Sequence, residues 1–271
     1  MPRGEGYDAP MSDSPVTSPA EFTVIGPHGP LFVSVWPGDP EQTPLLLLHD
    51  SLGAVSLWRD FPKQLAARTG RQVVAYDRAG FGRSVVRNAH IASDFIMAEA
   101  HEGILPVLDT LDIQKVVLLG HSVGGGMALS AASVLGERVA GVVTLSAQAF
   151  VEDRTLQGVR DAKVTFAQEG QVERLSKYHG ERAKWVLSAW IDTWLDPSFA
   201  DWSLDEPLRQ ITVPVLAMHG AEDEFGSLKH PEMIAGLTGG RCKVFEGVGH
   251  MPHKEATEEV LAEVQAFTSA L

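Results

Sequence analysis

One stretch near the middle of the chain constrains the fold more than any other. Val116 to Leu119 is an unbroken apolar run, half of it β-branched, which predicts a buried strand of a parallel sheet. Residues 120–124 then read Gly-His-Ser-Val-Gly, and residues 127–135 are rich in good helix formers. Strand, tight turn and helix in this order predict a sharp turn with the side chain of Ser122 at its tip.

The pattern G-x-S-x-G suits a serine that acts as a nucleophile. Glycines two residues to either side of Ser122 lack the Cβ atoms that would hold the strand and the helix apart. The serine oxygen then stands above the sheet at the start of a helix, where a partial positive charge favours an anion. We therefore interpret Ser122 as a catalytic nucleophile. The alternative is a glycine-rich turn that carries a serine by chance.

Length, charge and cysteine content narrow the class of protein. The 271 residues can hold one large α/β domain with an insertion. The net charge of −13 argues against nucleic acid and anionic membranes as partners, because both need a basic face. The single cysteine, Cys242, cannot form an intrachain disulfide and favours a cytoplasmic protein. No apolar run reaches the length of a membrane span, residues 1–20 are expected to be a flexible tail, and a homodimer stays open.

Apolar strands alternate with helical stretches through most of the chain, which predicts an α/β fold whose mostly parallel sheet has helices on both faces. The first two strands are separated by a Gly/Pro turn and predict an antiparallel hairpin. Strands are expected at 22–25, 31–36, 44–48, 73–76, 116–119, 139–145, 213–218 and 243–245, and helices at 56–68, 91–111, 180–193 and 255–270.

The alternation stops between residues 147 and 210. This segment holds Trp185, Trp190, Trp194 and Trp202 and has a helical pattern without a clear strand. We predict a helical cap there, over the carboxyl edge of a core formed by residues 21–146 and 211–271, because α/β proteins bind ligands at that edge. Trp190 and Trp194, four residues apart, can share one helix face, so one of them is expected to line the substrate pocket.

A serine nucleophile needs a base, and the base needs an orienting acid. The loop after the last predicted strand supplies His250, preceded by glycines, and His253, which fits a surface or capping residue better. The strand that ends at residue 218 is followed by Glu222, Asp223 and Glu224, of which we choose Asp223. The chain order serine, aspartate, histidine is that of one hydrolase fold in particular.

With these residues in place, the chain resembles the α/β-hydrolases from about residue 22 to its end. The motifs that carry the resemblance are Tyr-Asp-Arg-x-Gly-x-Gly-x-Ser at 76–84, Gly-His-Ser-Val-Gly-Gly at 120–125, His-Gly-x-x-Asp at 219–223 and Gly-x-Gly-His-x-x-His-x-Glu at 247–255. Within the family, residues 146–153 and 219–230 resemble the valacyclovir-hydrolase-like (biphenyl-hydrolase-like) esterases. The resemblance implies an eight-stranded sheet. It also implies an oxyanion hole from two backbone N–H groups, those of Val123 and of a residue in the loop after the third strand.

Two positions depart from the family pattern. His-Gly is usual in the oxyanion loop, whereas this chain has His49-Asp50. We expect the Asp50 carboxylate to turn outward and Ser51 to supply the second N–H, with Leu52 as the fallback and as a pocket residue. The valacyclovir-type enzymes carry an acidic residue directly after the nucleophile. Here that residue is Val123, so the resemblance does not carry over a preference for α-amino esters.

Together these features predict a cofactor-independent serine hydrolase that cleaves small carboxylic esters through an acyl-enzyme. Hydrolysis of a carbon–carbon bond, or of an enol lactone, is the alternative among enzymes, and a ligand receptor on a retained hydrolase fold is the alternative of another class. No metal is expected. Four histidines have no recognisable metal-ligand spacing: His219, His230, His250 and His253.

Overall fold

The computed structural model of the protein describes residues 18–87 and 89–271. Of the tail expected over residues 1–20, residues 1–17 lie outside the described residues. Ala20, which we had placed in the tail, already belongs to the first strand. Over the described ranges, no helix is both long enough and apolar enough to cross a membrane.

The fold is built on one eight-stranded sheet, which confirms the predicted α/β class. Spatial order is β1-β2-β4-β3-β5-β6-β7-β8. The hairpin β1–β2 is antiparallel, β2 pairs antiparallel with β4, and every remaining pair is parallel. The strands are β1 (Ala20–Gly26), β2 (Gly29–Trp36), β3 (Leu45–Leu48), β4 (Val73–Tyr76), β5 (Val116–His121), β6 (Val139–Leu145), β7 (Val215–Gly220) and β8 (Arg241–Phe245).

Helices cover both faces of the sheet, so the central strands are buried on both sides and read as continuous apolar runs. One face packs against α1 and α11, and the other against α2, α3, α4, α8 and α9. The helices of this core are α1 (Phe61–Thr69), α2 (Phe95–Glu99), α3 (Leu105–Thr110), α4 (Val123–Leu135), α8 (Asp205–Gln210), α9 (Lys229–Thr238), α10 (Pro252–Glu255) and α11 (Thr257–Thr268).

Two predicted helices are shorter or less regular than the sequence pattern indicated. The helix expected over 56–68 is a 3₁₀ turn, Val55–Trp58, followed by α1, which has Pro62 in its first turn. The helix expected over 91–111 begins only at Phe95 and contains a π-helical stretch, Ala100–Ile104, between α2 and α3. Pro106 follows that stretch; because it has no N–H to donate four residues back, a regular α-helix cannot continue through it.

The segment between β6 and β7 is helical, as its pattern indicated. It contains α5 (Asp153–Phe166), α6 (Gln171–His179), α7 (Ala183–Trp194), and α8 at its end. An isolated antiparallel bridge pairs Phe150 with Ser203 and holds the two ends of the segment together. The division of the chain into a core and a separate cap domain at 147–210 stays a prediction.

Candidate active site

The turn between β5 and α4 is as tight as the sequence pattern requires. Ser122 has φ 55° and ψ −126°, a strained conformation for a residue with a side chain. A Cβ at Gly120 would lie 2.1 Å from the carbonyl oxygen of Gly124, and one at Gly124 would lie 2.2 Å from the carbonyl oxygen of Leu48. Only glycine fits at either place, so strand and helix approach closely and present the Ser122 side chain at the sheet edge.

Loops after β7 and β8 bring an aspartate and a histidine together at the same edge. The Nδ1 atom of His250 lies 2.9 Å from both carboxylate oxygens of Asp223. Backbone N–H groups of Phe225 and Gly226 donate to the same carboxylate at 2.8 and 3.1 Å and fix its position. Glu222 and Glu224, the two acids we had weighed against Asp223, are exposed.

The electrostatics of this pair suit a base and its orienting acid. Burial alone would raise the pKa of the Asp223 carboxyl, but the hydrogen bond and the charge of His250 hold it below its usual range. Burial opposes a charge on His250 as well, yet the hydrogen bond and the charge of Asp223 raise the pKa of the imidazole. Because the Nδ1–H donates to Asp223, the Nε2 atom of the neutral ring is the one left to accept a proton.

The Ser122 hydroxyl donates to the side-chain oxygen of Gln148, at 3.3 Å. Gln148 is buried and lies in the loop that follows β6, at the carboxyl edge of the sheet. By sequence, Gln148 falls at the start of the predicted cap. Its position after the carboxyl end of a parallel strand is the signal that indicates a site residue, since those ends converge on one site.

The residues proposed for the oxyanion hole lie beside Ser122. Val123 is the first residue of α4, so its N–H has no acceptor within the helix. Ser51 lines the same cavity as Ser122. The N–H of Leu52, our fallback donor, is engaged by the Asp50 carboxylate at 2.9 Å. Geometry therefore favours Ser51 over Leu52 as the second donor.

The Asp50 carboxylate does not turn outward, so that expectation was wrong. It lines the cavity, with 24% of its side chain exposed, and lies 3.2 Å from the Nδ1 atom of His121. This pairing is the physical reason why a carboxylate is tolerated there. Burial would raise the pKa of Asp50, but the hydrogen bond and the charge of His121 hold it well below its usual range.

The other histidines near the site have structural partners. His253, which we had expected at the surface, is buried against Trp58 with the ring centroids 4.9 Å apart, and burial keeps the pKa of His253 well below its usual range. His49 accepts the N–H of Arg78 at 3.1 Å. His219 lies 3.2 Å from the carboxylate of Asp223. Within residues 18–87 and 89–271, no three His, Cys, Asp or Glu side chains form a group that could hold a metal ion.

A cavity of about 210 Å³ opens over the Ser122 hydroxyl and the His250 ring. Its wall is largely apolar and includes the three side chains that the sequence analysis assigned to the pocket. Trp194 also packs against Phe199 and Trp202, with ring centroids 5.4 and 5.8 Å apart, so it belongs to the packing of the helical segment as well. The apolar wall comprises Leu52, Val159, Ala162, Phe166, Trp190, Trp194, Phe225 and Met251.

The first turn of α5 is tied to the loop that carries Asp223. The Thr155 hydroxyl donates to the Phe225 carbonyl at 2.6 Å, and the Arg154 guanidinium donates to the Asp223 carbonyl at 3.1 Å. Glu152, directly before α5, accepts the N–H and the hydroxyl of Ser227 at 2.6 and 2.9 Å. These hydrogen bonds fix the wall of the cavity and the loop of Asp223 relative to each other.

Comparison with known proteins gives the family. Residues 43–257 match the family described as the alpha/beta hydrolase fold. The match covers most of the chain, and the eight-stranded sheet has the expected architecture. The chain belongs to the α/β-hydrolase family.

Relatives within the family carry out different reactions. The chain is 27% identical over 251 residues to a dihydrolipoyllysine-residue acetyltransferase component of an acetoin cleaving system from Pseudomonas putida, covering 85% of this chain and 64% of the relative. It is 24% identical over 267 residues to a proline iminopeptidase of Lactobacillus helveticus, covering 84% and 90%. The crystal structure of an esterase from a Rhodococcus species superposes with a TM-score of 0.73 at 21% identity, covering 94% and 100%. This last likeness concerns the fold alone.

Proposed function

We propose that the protein is a cofactor-independent serine hydrolase that cleaves small carboxylic esters through an acyl-enzyme. The observation that carries the proposal is the convergence of three loops on one cavity. Ser122 stands on a strained turn, and His250, held by Asp223, borders the same cavity. This is the arrangement of a nucleophile, its base and an orienting acid.

In the proposed mechanism, the Ser122 oxygen attacks the ester carbonyl while the Nε2 atom of His250 takes the hydroxyl proton. Asp223 holds the ring in the required tautomer and stabilises the imidazolium. The N–H groups of Val123 and Ser51 bind the oxyanion of the tetrahedral intermediate. His250 then gives the proton to the departing alcohol. A water molecule, deprotonated by the same ring, releases the acid and restores the Ser122 hydroxyl.

The Ser122 hydroxyl must leave Gln148 before it can react. Its hydroxyl donates to the amide oxygen of Gln148 in this structure, so attack requires the O–H bond to turn from Gln148 towards His250. The Gln148 amide is then free to contact a polar atom of the bound ester.

The cavity supports a small substrate with an apolar or aromatic portion. Four aromatic side chains in its wall offer contact area to such a group. We further propose that the chain groups with the valacyclovir-hydrolase-like esterases, on the motifs quoted above. Val123, which is uncharged, supports esters without an α-amino group as substrates. The aromatic wall is formed by Phe166, Trp190, Trp194 and Phe225.

Carbon–carbon bond hydrolysis is a weaker candidate. That reaction needs a group beside the nucleophile that can protonate the substrate carbon. Gln148 is polar and adjacent to Ser122, but its amide donates hydrogen bonds without giving up a proton at neutral pH. Enol-lactone hydrolysis uses the same steps as ester hydrolysis and is tested with the same variants. A receptor on a retained hydrolase fold would bind without turnover.

The test is turnover of p-nitrophenyl acetate by the wild-type protein and by Ser122→Ala. A serine hydrolase gives rapid release of nitrophenol that Ser122→Ala abolishes, while the thermal midpoint stays close to that of the wild type because the elbow belongs to the backbone and the glycines. Residual turnover of more than about a tenth of wild type would remove Ser122 as the nucleophile. Greater activity on a ring-cleavage dienoate than on esters would favour the carbon–carbon alternative.

We also propose a cytoplasmic location for the enzyme, and no nucleic-acid or membrane partner. The single cysteine and the net charge of −13 support this proposal. A homodimer remains compatible with the proposed function, and sedimentation of the purified protein would test it.

A further inference from the structure

His121, the residue before the nucleophile, is held between two acceptors. Its Nε2 atom lies 2.8 Å from the carbonyl oxygen of His250, and its Nδ1 atom lies 3.2 Å from the carboxylate of Asp50. The ring is fully buried, so neither nitrogen exchanges its partner for water. His121 therefore links the loop of the base to the loop that carries the proposed oxyanion donor Ser51.

The protons on this ring follow from its partners. A carbonyl oxygen only accepts, so the Nε2 atom must carry a proton. The ionised Asp50 carboxylate, which takes the N–H of Leu52 on one oxygen and faces Nδ1 of His121 with the other, also only accepts. Both ring nitrogens of His121 therefore carry protons in this arrangement. The imidazolium neutralises a carboxylate that would otherwise repel an oxyanion forming next to it.

Asp50 also fixes the backbone on both sides of Ser51. Its second carboxylate oxygen accepts the N–H of Leu52 at 2.9 Å. Its own carbonyl oxygen accepts from the Arg78 guanidinium at 2.9 Å and faces the Nδ1 atom of His49 at 2.8 Å. The side chain and the main chain of Asp50, the residue before Ser51, are therefore both held by hydrogen bonds.

We propose that Asp50 and His121 form an ion pair that positions the oxyanion loop of this enzyme and neutralises the loop's own negative charge beside the reaction. The proposal rests on the proposed serine-hydrolase function and assigns a role to the residue that replaces the usual glycine. Asp50 acts through the backbone of Ser51 and is a positioning residue.

Other charged and titratable groups surround the pair and act on it. They come from the oxyanion loop, the loop after β4, the end of α6, the loop of the base and the short helix α10. These groups are His49, Arg78, His179, His250, His253 and Lys254.

The test compares Asp50→Ala with Asp50→Asn. Alanine removes both side-chain contacts and frees the loop. Asparagine keeps them, since its oxygen can accept from Leu52 while its amide donates to a neutral His121 ring. Loss of a whole oxyanion donor costs about 10²–10³ in kcat, so a displaced donor in Asp50→Ala should cost at least about tenfold, with KM within about threefold of wild type. Asp50→Asn should recover most of this loss.

Asp39→Ala is the matched control. The Asp39 carboxylate accepts the N–H of Glu41 at 3.0 Å, which is the same local contact that Asp50 makes with Leu52. Asp39 lies in the exposed loop between β2 and β3, away from the cavity. Asp39→Ala should lose whatever free energy of unfolding the contact with the Glu41 N–H contributes, and it should keep the wild-type kcat.

Two outcomes would overturn the inference. One is an Asp50→Ala enzyme whose kcat is within about threefold of wild type; the other is an Asp50→Asn enzyme whose kcat is no higher than that of Asp50→Ala. Both are read against Ser122→Ala. If Ser122→Ala is as active as the wild type, the proposed function has failed. If it is inactive while Asp50→Ala is unaffected, only the role of the ion pair has failed.

Discussion

The two tryptophans of α7 that face the cavity should respond differently to truncation. Trp190 is half-buried in the cavity wall, with its ring 5.8 Å from that of Phe225. Trp194 touches the cavity too, but only 3% of its surface is exposed, and it packs against Phe199 and Trp202. Trp190→Ala should therefore change specificity, and Trp194→Ala should mainly reduce the free energy of unfolding.

The magnitudes follow from these contacts. Truncating a buried tryptophan to alanine costs about 3–5 kcal/mol, so Trp194→Ala should lower the thermal midpoint by about 6–20 °C. An aromatic contact with a bulky acyl group is worth about 0.5–1.5 kcal/mol, which is about 2–12-fold in kcat/KM. Trp190→Ala should lose that factor on butyrate or benzoate esters, through KM, and should stay within about twofold of wild type on acetate.

Trp185→Ala is the control for both variants. Trp185 belongs to the same helix and is half-buried like Trp190, but it contacts Phe81 and does not line the cavity. The assays are thermal unfolding and kcat/KM on p-nitrophenyl esters of increasing acyl size. The reasoning is refuted if Trp185→Ala shifts the acyl preference as much as Trp190→Ala, or if Trp194→Ala leaves the thermal midpoint unchanged.

Two further predictions concern the base and its acid. Asp223→Asn should reduce turnover by up to about 10⁴ by favouring the wrong imidazole tautomer, and a larger loss in Glu222→Gln or Glu224→Gln would make our choice of acid wrong. Protonated His250 cannot take the Ser122 proton, and its pKa is raised above the ordinary 6.5, so kcat/KM should fall as the pH drops through a midpoint above 6.5. In Asp223→Asn the midpoint should move to lower pH; an unchanged midpoint would mean that another group titrates.

Much of the fold could be predicted because local and global signals agree. Buried parallel strands must be apolar on both faces, so the apolar runs at residues 45–48 and 116–119 could be predicted as buried strands. The tight turn at Gly120, Ser122 and Gly124 could be predicted because the close approach of strand and helix leaves room only for glycines there. The 3₁₀ turn at Val55–Trp58 and the π-helical stretch at Ala100–Ile104 could not be predicted, since hydrophobic periodicity does not distinguish an α-turn from a 3₁₀ or π turn.

The site was less predictable where a residue's role depends on a partner far along the chain. Asp50 could not be placed because its contact with His121 spans 71 positions. His253 looked exposed because nothing near it in sequence indicates Trp58, against which it packs. The approach of Gln148 to the Ser122 hydroxyl depends on how the loop after β6 turns, which one sequence does not encode in any recognisable pattern.

The hydrogen bonds between the first turn of α5 and the loop of Asp223 limit how this enzyme can be remodelled. A chimera that exchanged the whole helical segment would remove Glu152, Arg154 and Thr155, and with them the hydrogen bonds by which this segment supports the loop of Asp223. An exchange that begins after Thr155 would leave those supports in place. Substitutions in the rest of α5, in α6 and in α7 can therefore change the substrate range. The first turn of α5 has to be kept, because it supports the loop of Asp223 that acts on every substrate.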